Sequence, residues 1–414
     1  MSVIGRSGLP VPRNSVGRQA VYLAGATGLS QVAMAVIYLF AARGSGPSEF
    51  GLTVAAIALG STAVGFVDFG TNSHWAREIA RGNMEPRELG HRATMKVLVA
   101  LLLSLAWSVA MAALFPNSVL WIAGPVLMAQ LLNQTSQVSL RGGARGELVA
   151  LTILTDRAVA IVTFFGVVLL GGKATDGLWI AIVAGSLTAA VAGHIATERV
   201  RRPIAALPLI INPWRGAGYF GITQLANSAQ SLDLPLLTFV GGPLAGGLLG
   251  AVSKWTQPMG LLAAAFSSAA APFVAGTEDF LEAWEHLRKG IWMPVCAILL
   301  SLAIFAFAPV IVPLLLGKAY EGSVDVLRVL SLMSIPSIIS QPAMVALQSL
   351  GMERYVAGVM TSAIVLQLAL VVILGATHGA LGAAFASLIV QCGILAMFAH
   401  MISKEVRRVV KANK

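Results

Sequence analysis

The chain has 414 residues, of which 57% are hydrophobic and only 11% charged, and its formal net charge is +10. Soluble domains carry about 25% charged residues, so this composition excludes a string of water-facing globular domains and points to a lipid environment. The basic residues are spread over short loops and the C-terminal tail, a pattern that suits anionic lipid headgroups and argues against nucleic acid as a partner.

Residues 1–19 are polar and carry Arg6, Arg13 and Arg18; they read as a cytoplasmic tail. The apolar run that follows is too long for a signal-peptide core and reads as a retained helix. Runs of about 20 apolar residues then predict about twelve spans. Their expected limits are 20–42, 50–69, 94–115, 118–140, 148–171 and 177–197, then 218–240, 246–270, 291–316, 324–350, 355–375 and 380–402. With the N-terminus inside, the inner segments collect most of the cations, including Arg77, Arg81, Arg87, Arg92 and Lys96. Only Arg43, Lys173, Lys318 and Arg328 fall on the other face, a strong positive-inside bias that puts both termini in the cytoplasm. The expected organisation is an N-terminal six-helix lobe at 20–199, a linker at 200–217, a C-terminal six-helix lobe at 218–402 and a basic tail at 403–414.

The inner connection after the second span has Ala76, Ile79 and Ala80 at helical spacing beside Arg77, Glu78 and Arg81. Phe280, Leu281, Trp284 and Leu287 repeat that pattern later in the chain, and both segments read as amphipathic helices on the inner surface. The fifth span carries Asp156 and Arg157 in an otherwise uncharged run. A charge near the membrane centre costs on the order of 2.5–3.5 kcal/mol, so such residues face a bundle interior or a wet cavity. Arg157 lies about 13 Å from the inner end of its span at the helical rise. Adjacent residues on a helix do not face each other, which makes Asp156 a poor counter-ion for it. A central guanidinium without a partner suits a diphosphate; a bond to carbonyls or to an acid on another helix is the structural alternative.

In the seventh span Gln224, Asn227 and Gln230 line one side at helical spacing, and Gln31, Gln130, Gln134 and Gln137 add amides to the first and fourth spans. A polar lumen for sugar hydroxyls and ordinary interhelical hydrogen bonding both account for them. Asp233 in span seven and Lys254 in span eight reach similar depths from opposite ends of a tight hairpin, so they can pair. Pro235 and Pro258 beside them each remove a backbone donor. Cys296 and Cys392 lie in apolar runs and read as reduced packing residues. The histidines lie mostly near span ends and read as solvated or interfacial.

A repeat runs through this order. Gly46-Pro47 precedes Gly51-Leu52 at the start of the second span, and Gly242-Pro243 precedes Gly247-Leu248 at the start of the eighth. Ser139-Leu140 with Arg145 and Ser349-Leu350 with Arg354 give a looser echo on the inner side. Equal span numbering and equal side imply two halves in the same orientation, as in transporters built on parallel repeats.

The segments GPSEFG, DFG and WAREIARG between Arg43 and Gly82, SLDLPLLTFVGG around Asp233, APVIVPLLLGKAY from Ala308, LQSLGMERY from Leu347 and HGALGAAFASL from His378 resemble one family. It is the polysaccharide exporters and oligosaccharide-lipid flippases (O-antigen flippase-like) of the multidrug/oligosaccharidyl-lipid/polysaccharide, or MOP, exporter superfamily. The resemblance implies an all-α, two-lobed membrane protein of the inner membrane that moves a lipid-linked glycan by alternating access. It implies Arg157 on the diphosphate, with Gln224, Asn227, Gln230 and Lys254 toward substrate and Asp156 or Asp233 taking a coupling proton or sodium ion. Its partners would be membrane lipids, the glycan and the polymerase or glycosyltransferases of one pathway.

No cofactor or metal is expected. Gly172-Lys173 and Gly317-Lys318 lack the spacing and hydroxyl of a phosphate loop, and no His, Cys or Glu cluster has ligand spacing. Two rivals remain. A multidrug exporter of the same fold would favour acids without nearby bases. A membrane polymerase or acyltransferase needs reactive groups gathered in a sizeable loop, and the outer loops here are very short.

Overall fold

The computed structural model describes residues 16–200, 211–256, 260, 291–349 and 352–412. These are helical almost throughout, with no strand among the described residues. The helices are α1 (Val16–Arg43), α2 (Pro47–Asp68), α3 (Thr71–Arg81), α4 (Pro86–Leu114), α5 (Ala123–Ser136), α6 (Val138–Gly142), α7 (Gly146–Leu169) and α8 (Ala174–Val200). They continue as α9 (Gly218–Gln230), α10 (Asp233–Val240), α11 (Gly242–Ser253), α12 (Trp292–Leu315), α13 (Ser323–Ser349) and α14 (Glu353–Ala412). Pro47, Pro86 and Pro243 stand at helix starts, where a missing N–H has no partner to lose.

Eight helices among the described residues (α1, α2, α4, α7, α8, α12, α13 and α14) are long and apolar enough to cross a membrane. The last holds two crossings, because the chain reverses at Gly379 with φ 57° and ψ −137°, a conformation that only glycine adopts without strain. Val356 and Val359 thereby pack against Ile394 and Phe398. The fourth predicted span is built of pieces: a 3-10 turn at Val119–Ile122, then α5 and α6. The seventh breaks between Gln230 and Asp233. Pro235 is the reason, since it cannot donate to the carbonyl of Ser231. Helix α11 is apolar but shorter, and the described helices are consistent with the about twelve spans read from sequence.

Two compact units result: Met1–Ser45 with Leu52–Pro235, and Gly46–Gly51 with Leu236–Lys414. Their borders fall inside α2 and α10, whereas the sequence division placed its linker at 200–217. In the second unit the two copies of the Gly-Pro motif pack on each other. A Cβ on Gly51 would meet the carbonyl of Pro243 and the backbone of Gly247, and a Cβ on Gly247 would meet the carbonyl of Pro47. The contact is reciprocal, and glycine is what lets the two backbones approach.

In the first unit α3 is amphipathic as expected, but its apolar face does not rest on lipid. Trp75 and Ile79 are fully buried against Met84 and Val138, because α6 offers a protein surface at that level. The companion segment at 280–287 lies outside the described residues, as does Pro258. Cys296 and Cys392 are free and exposed rather than packed inside.

Candidate functional site

A chain of polar side chains runs into the first unit from its inner end. It begins at the exposed Arg141, whose Nη2 donates to Gln137 Oε1 at 3.0 Å. Gln137 Nε2 donates to Asn133 Oδ1 at 2.9 Å, and Asn133 Nδ2 donates to Asp156 Oδ2 at 3.1 Å. Residues 133, 137 and 141 stand four apart, which stacks them on one face of α5 and α6. Asn133, Gln137 and Asp156 are all buried, Asp156 to 5% exposure. Helix α8 closes the wall: a Cβ on Gly185 would collide with the Asp156 carboxylate at 2.6 Å.

Beyond Asp156 the chain reaches Arg157. Its Nη1 lies 3.6 Å from Asp156 Oδ1, and its Nε donates to Ser30 Oγ of α1 at 2.7 Å. This corrects the expectation that Asp156 is a poor counter-ion and that Arg157 has no partner. The Cβ directions do diverge, but the long, flexible arginine stem bends back and brings the guanidinium to its neighbour. Asp156 Oδ1 still accepts no hydrogen bond among the described residues. The Arg157 side chain keeps 25% of its surface exposed, and no hydrogen bond among the described residues uses its Nη2. An ion pair therefore stands in a membrane-spanning helix, its acid keeping one oxygen and its base keeping Nη2 without a hydrogen bond among the described residues.

A second buried ion pair lies nearer the inner end, and sequence reading missed it. Lys96, expected in a cytoplasmic loop, belongs to α4 and is fully buried. Its ammonium donates to Asp68 Oδ1 at 2.9 Å, Thr71 Oγ1 at 3.0 Å and Asn72 Oδ1 at 2.7 Å, which uses all three of its donors. The face of Trp75 lies 4.3 Å from Nζ. Asp68 also accepts from Thr71 Oγ1 and from the Asn72 N–H, which caps α3. The turn between them holds Phe69 at φ 45° and Gly70 at φ 68°. A bulky residue at positive φ costs on the order of 1–3 kcal/mol, which this pair helps offset.

That turn interlocks with α9. The Phe69 ring stands where a Cβ on Gly221 would be, and the Phe220 carbonyl where a Cβ on Gly70 would be. Trp214 Nε1 donates to Val67 O at 2.9 Å. His74 sits on the same patch beside Phe220, with ring centroids 5.8 Å apart. Burial lowers its imidazole pKa below the ordinary 6.5; Glu78 opposes the shift, and Arg92 and Arg77 add to it. His91, expected at an interface, is buried at 8% exposure.

The remaining predicted site residues fall elsewhere. Gln224 Nε2 donates weakly to Ser228 Oγ at 3.4 Å, and Gln230 closes α9 half-buried at the break. Asn227 is on α9, and its side chain lies outside the described residues. Asp233 starts α10, its Oδ1 accepting from the Leu234 N–H at 2.7 Å. Lys254 follows the last residue of α11, where a cation complements the helix dipole. The structure therefore joins Asp156 to Arg157 and adds Asn133, Gln137, Arg141 and Ser30. Only Gln137 of these additions was singled out in the sequence; the four-residue spacing from Asn133 to Arg141 was the signal available.

Solved structures of the MOP superfamily share this fold. An inward-facing multidrug transporter of the MATE family matches with a TM-score of 0.67 at 17% identity, covering 92% of this chain and 96% of that one. The lipid II flippase MurJ, in an inward closed conformation, matches with a TM-score of 0.70 at 14% identity, covering 92% of this chain and 87% of that one. A MOP transporter from Pyrococcus furiosus, described as having a binding pocket of reversed polarity, matches at 0.54 with 15% identity, covering 94% and 95%. No protein-family profile and no curated protein sequence matches the chain. The chain, helical throughout its described secondary structure, is thus a multi-pass membrane protein with the MOP-exporter fold.

Proposed function

We propose that this protein is a flippase of the bacterial inner membrane. It would carry a lipid-linked oligosaccharide, on a polyprenyl diphosphate, from the inner to the outer leaflet for surface polysaccharide biosynthesis. The observation that carries this reading is Arg157: a guanidinium within a membrane-spanning helix whose Nε is held by Ser30, whose Nη1 lies 3.6 Å from Asp156, and whose Nη2 enters no hydrogen bond among the described residues. A guanidinium's planar set of donors suits a diphosphate. Asp156, with an oxygen that accepts no hydrogen bond among the described residues, would take the coupling proton or sodium ion. Gln224, Asn227 and Gln230 would meet sugar hydroxyls near the helix break, where a discontinuous span suits a binding site. Lys254 would add charge for the diphosphate, and Asp233 a second acid for coupling. Alternating access would supply the movement, and no chemical step is required of the chain.

The sequence motifs support a glycan lipid, and so does the fold likeness to a lipid II flippase. The likeness to MATE multidrug transporters supports the second reading, export of a cationic drug, for which Asp156 would be the binding group. One experiment separates them. Deleting the gene should leave a polyprenyl-diphosphate oligosaccharide accumulating on the inner leaflet, with drug tolerance unchanged. Lost tolerance without that intermediate would favour the drug exporter.

A further inference from the structure

The inner end of the second unit holds a recess of 870 Å³ that the transport reading does not use. Its lining includes His400, Lys404, Arg407 and Arg408 of α14, together with the thioethers of Met352 and Met401. Those four basic residues recur at helical spacing on one face, while Ile394 and Phe398 on another face are buried against Leu347 and Val359. The acid in the lining, Glu405, lies 3.6 Å from Arg408. No ion pair among the described residues engages Lys404 or Arg407.

Basic residues near a helix C-terminus complement its dipole, worth about 0.3–1 kcal/mol each. That effect explains the charges but requires no recess and no apolar floor. A second feature of the same face does point to an occupant. Going deeper into the membrane from His400, the stripe continues as Met397, Ile389 and Phe385, each exposed by more than 40%. Gly393 interrupts it with open space where a side chain would stand. The face is therefore cationic at headgroup depth and apolar, with a gap, along the membrane. Tyr355 ties the two arms of α14 together beside it, donating to Met397 O at 2.9 Å.

We propose that this face binds an anionic diacyl phospholipid of the inner leaflet. The phosphodiester sits among Lys404, Arg407 and Arg408, and an acyl chain lies along Met397, Gly393, Ile389 and Phe385. The test uses the full chain, delipidated in detergent, and follows its thermal unfolding. Phosphatidylglycerol should raise the midpoint by about 3–5 °C, whereas phosphatidylcholine with the same tails and glycerol 3-phosphate should not. The combined variant Lys404→Gln, Arg407→Gln, Arg408→Gln should unfold normally without lipid and lose that shift. Should it fail to fold, Lys404→Gln alone should lose about half of the shift. Equal shifts from both phospholipids, the full shift from glycerol 3-phosphate alone, or an undiminished shift in the variants would each overturn the proposal.

Discussion

The two units bury polarity in opposite ways. In the second, most buried serines turn inward on their own helices: Ser301 bonds Ala297 O, Ser331 bonds Leu327 O, Ser334 bonds Leu330 O and Ser340 bonds Pro336 O, while Ser323 reaches across, to Leu248 O. The first four hydroxyls are satisfied without reference to any neighbour, and helices there meet through small residues, as at Gly51 and Gly247. In the first, buried charges are satisfied across helices, with Lys96 of α4 reaching Asp68 of α2 and Asn133 of α5 reaching Asp156 of α7. Cross-helix bonds specify which faces meet, and leaving one partner alone is costly. The first unit is thus the one whose buried, cross-helix charges can respond to an ion.

Four substitutions probe that contrast, in falling order of effect. Lys96→Met strands the buried Asp68 carboxylate and should destabilise the protein by about 3–5 kcal/mol in thermal or denaturant unfolding. Removing both partners should be far milder, and equal losses would show that no charge is being stranded. Gly247→Val should cost about 1–3 kcal/mol or more, since the added methyls meet the Pro47 backbone. A wild-type midpoint would mean the Gly-Pro crossing yields easily. Ser331→Ala, by contrast, removes a bond internal to one helix and should shift stability by no more than about 0.5–1.5 kcal/mol.

The smallest effect is on pH dependence. His74 has a folded pKa below 6.5, so the folded state resists a proton that the unfolded chain accepts. Stability should be full above pH 6.5 and decline as pH falls below it. His74→Gln should flatten that decline; an unchanged slope would assign it to other groups. The half-exposed ring keeps this change slight.

Sequence alone carried the fold a long way, because hydropathy reports depth directly. The spans that fall on described residues, the Gly-Pro repeat and the Asp156–Arg157 position were legible. What hydropathy does not report is which way a helix faces. Lys96 was placed with the loop cations because its depth was close to an interface, and only the turn at Phe69 and Gly70 brings Asp68 to it. Asp156 and Arg157 were separated by a rule for Cβ directions that a long side chain escapes. The break at Ser231 was half legible: Pro235 marked it, but the burial of Gln137 and Asn133 beside Asp156 depends on how α5 and α7 pack.

The central claim is that Arg157 grips the diphosphate, and it is tested by three variants expressed at wild-type levels in the membrane. Arg157→Ala should abolish export of surface polysaccharide, Arg157→Lys should restore only a minor part because a point charge replaces a fork, and Ser30→Ala should weaken export by freeing the guanidinium to wander. Full polysaccharide output from Arg157→Ala would contradict the account.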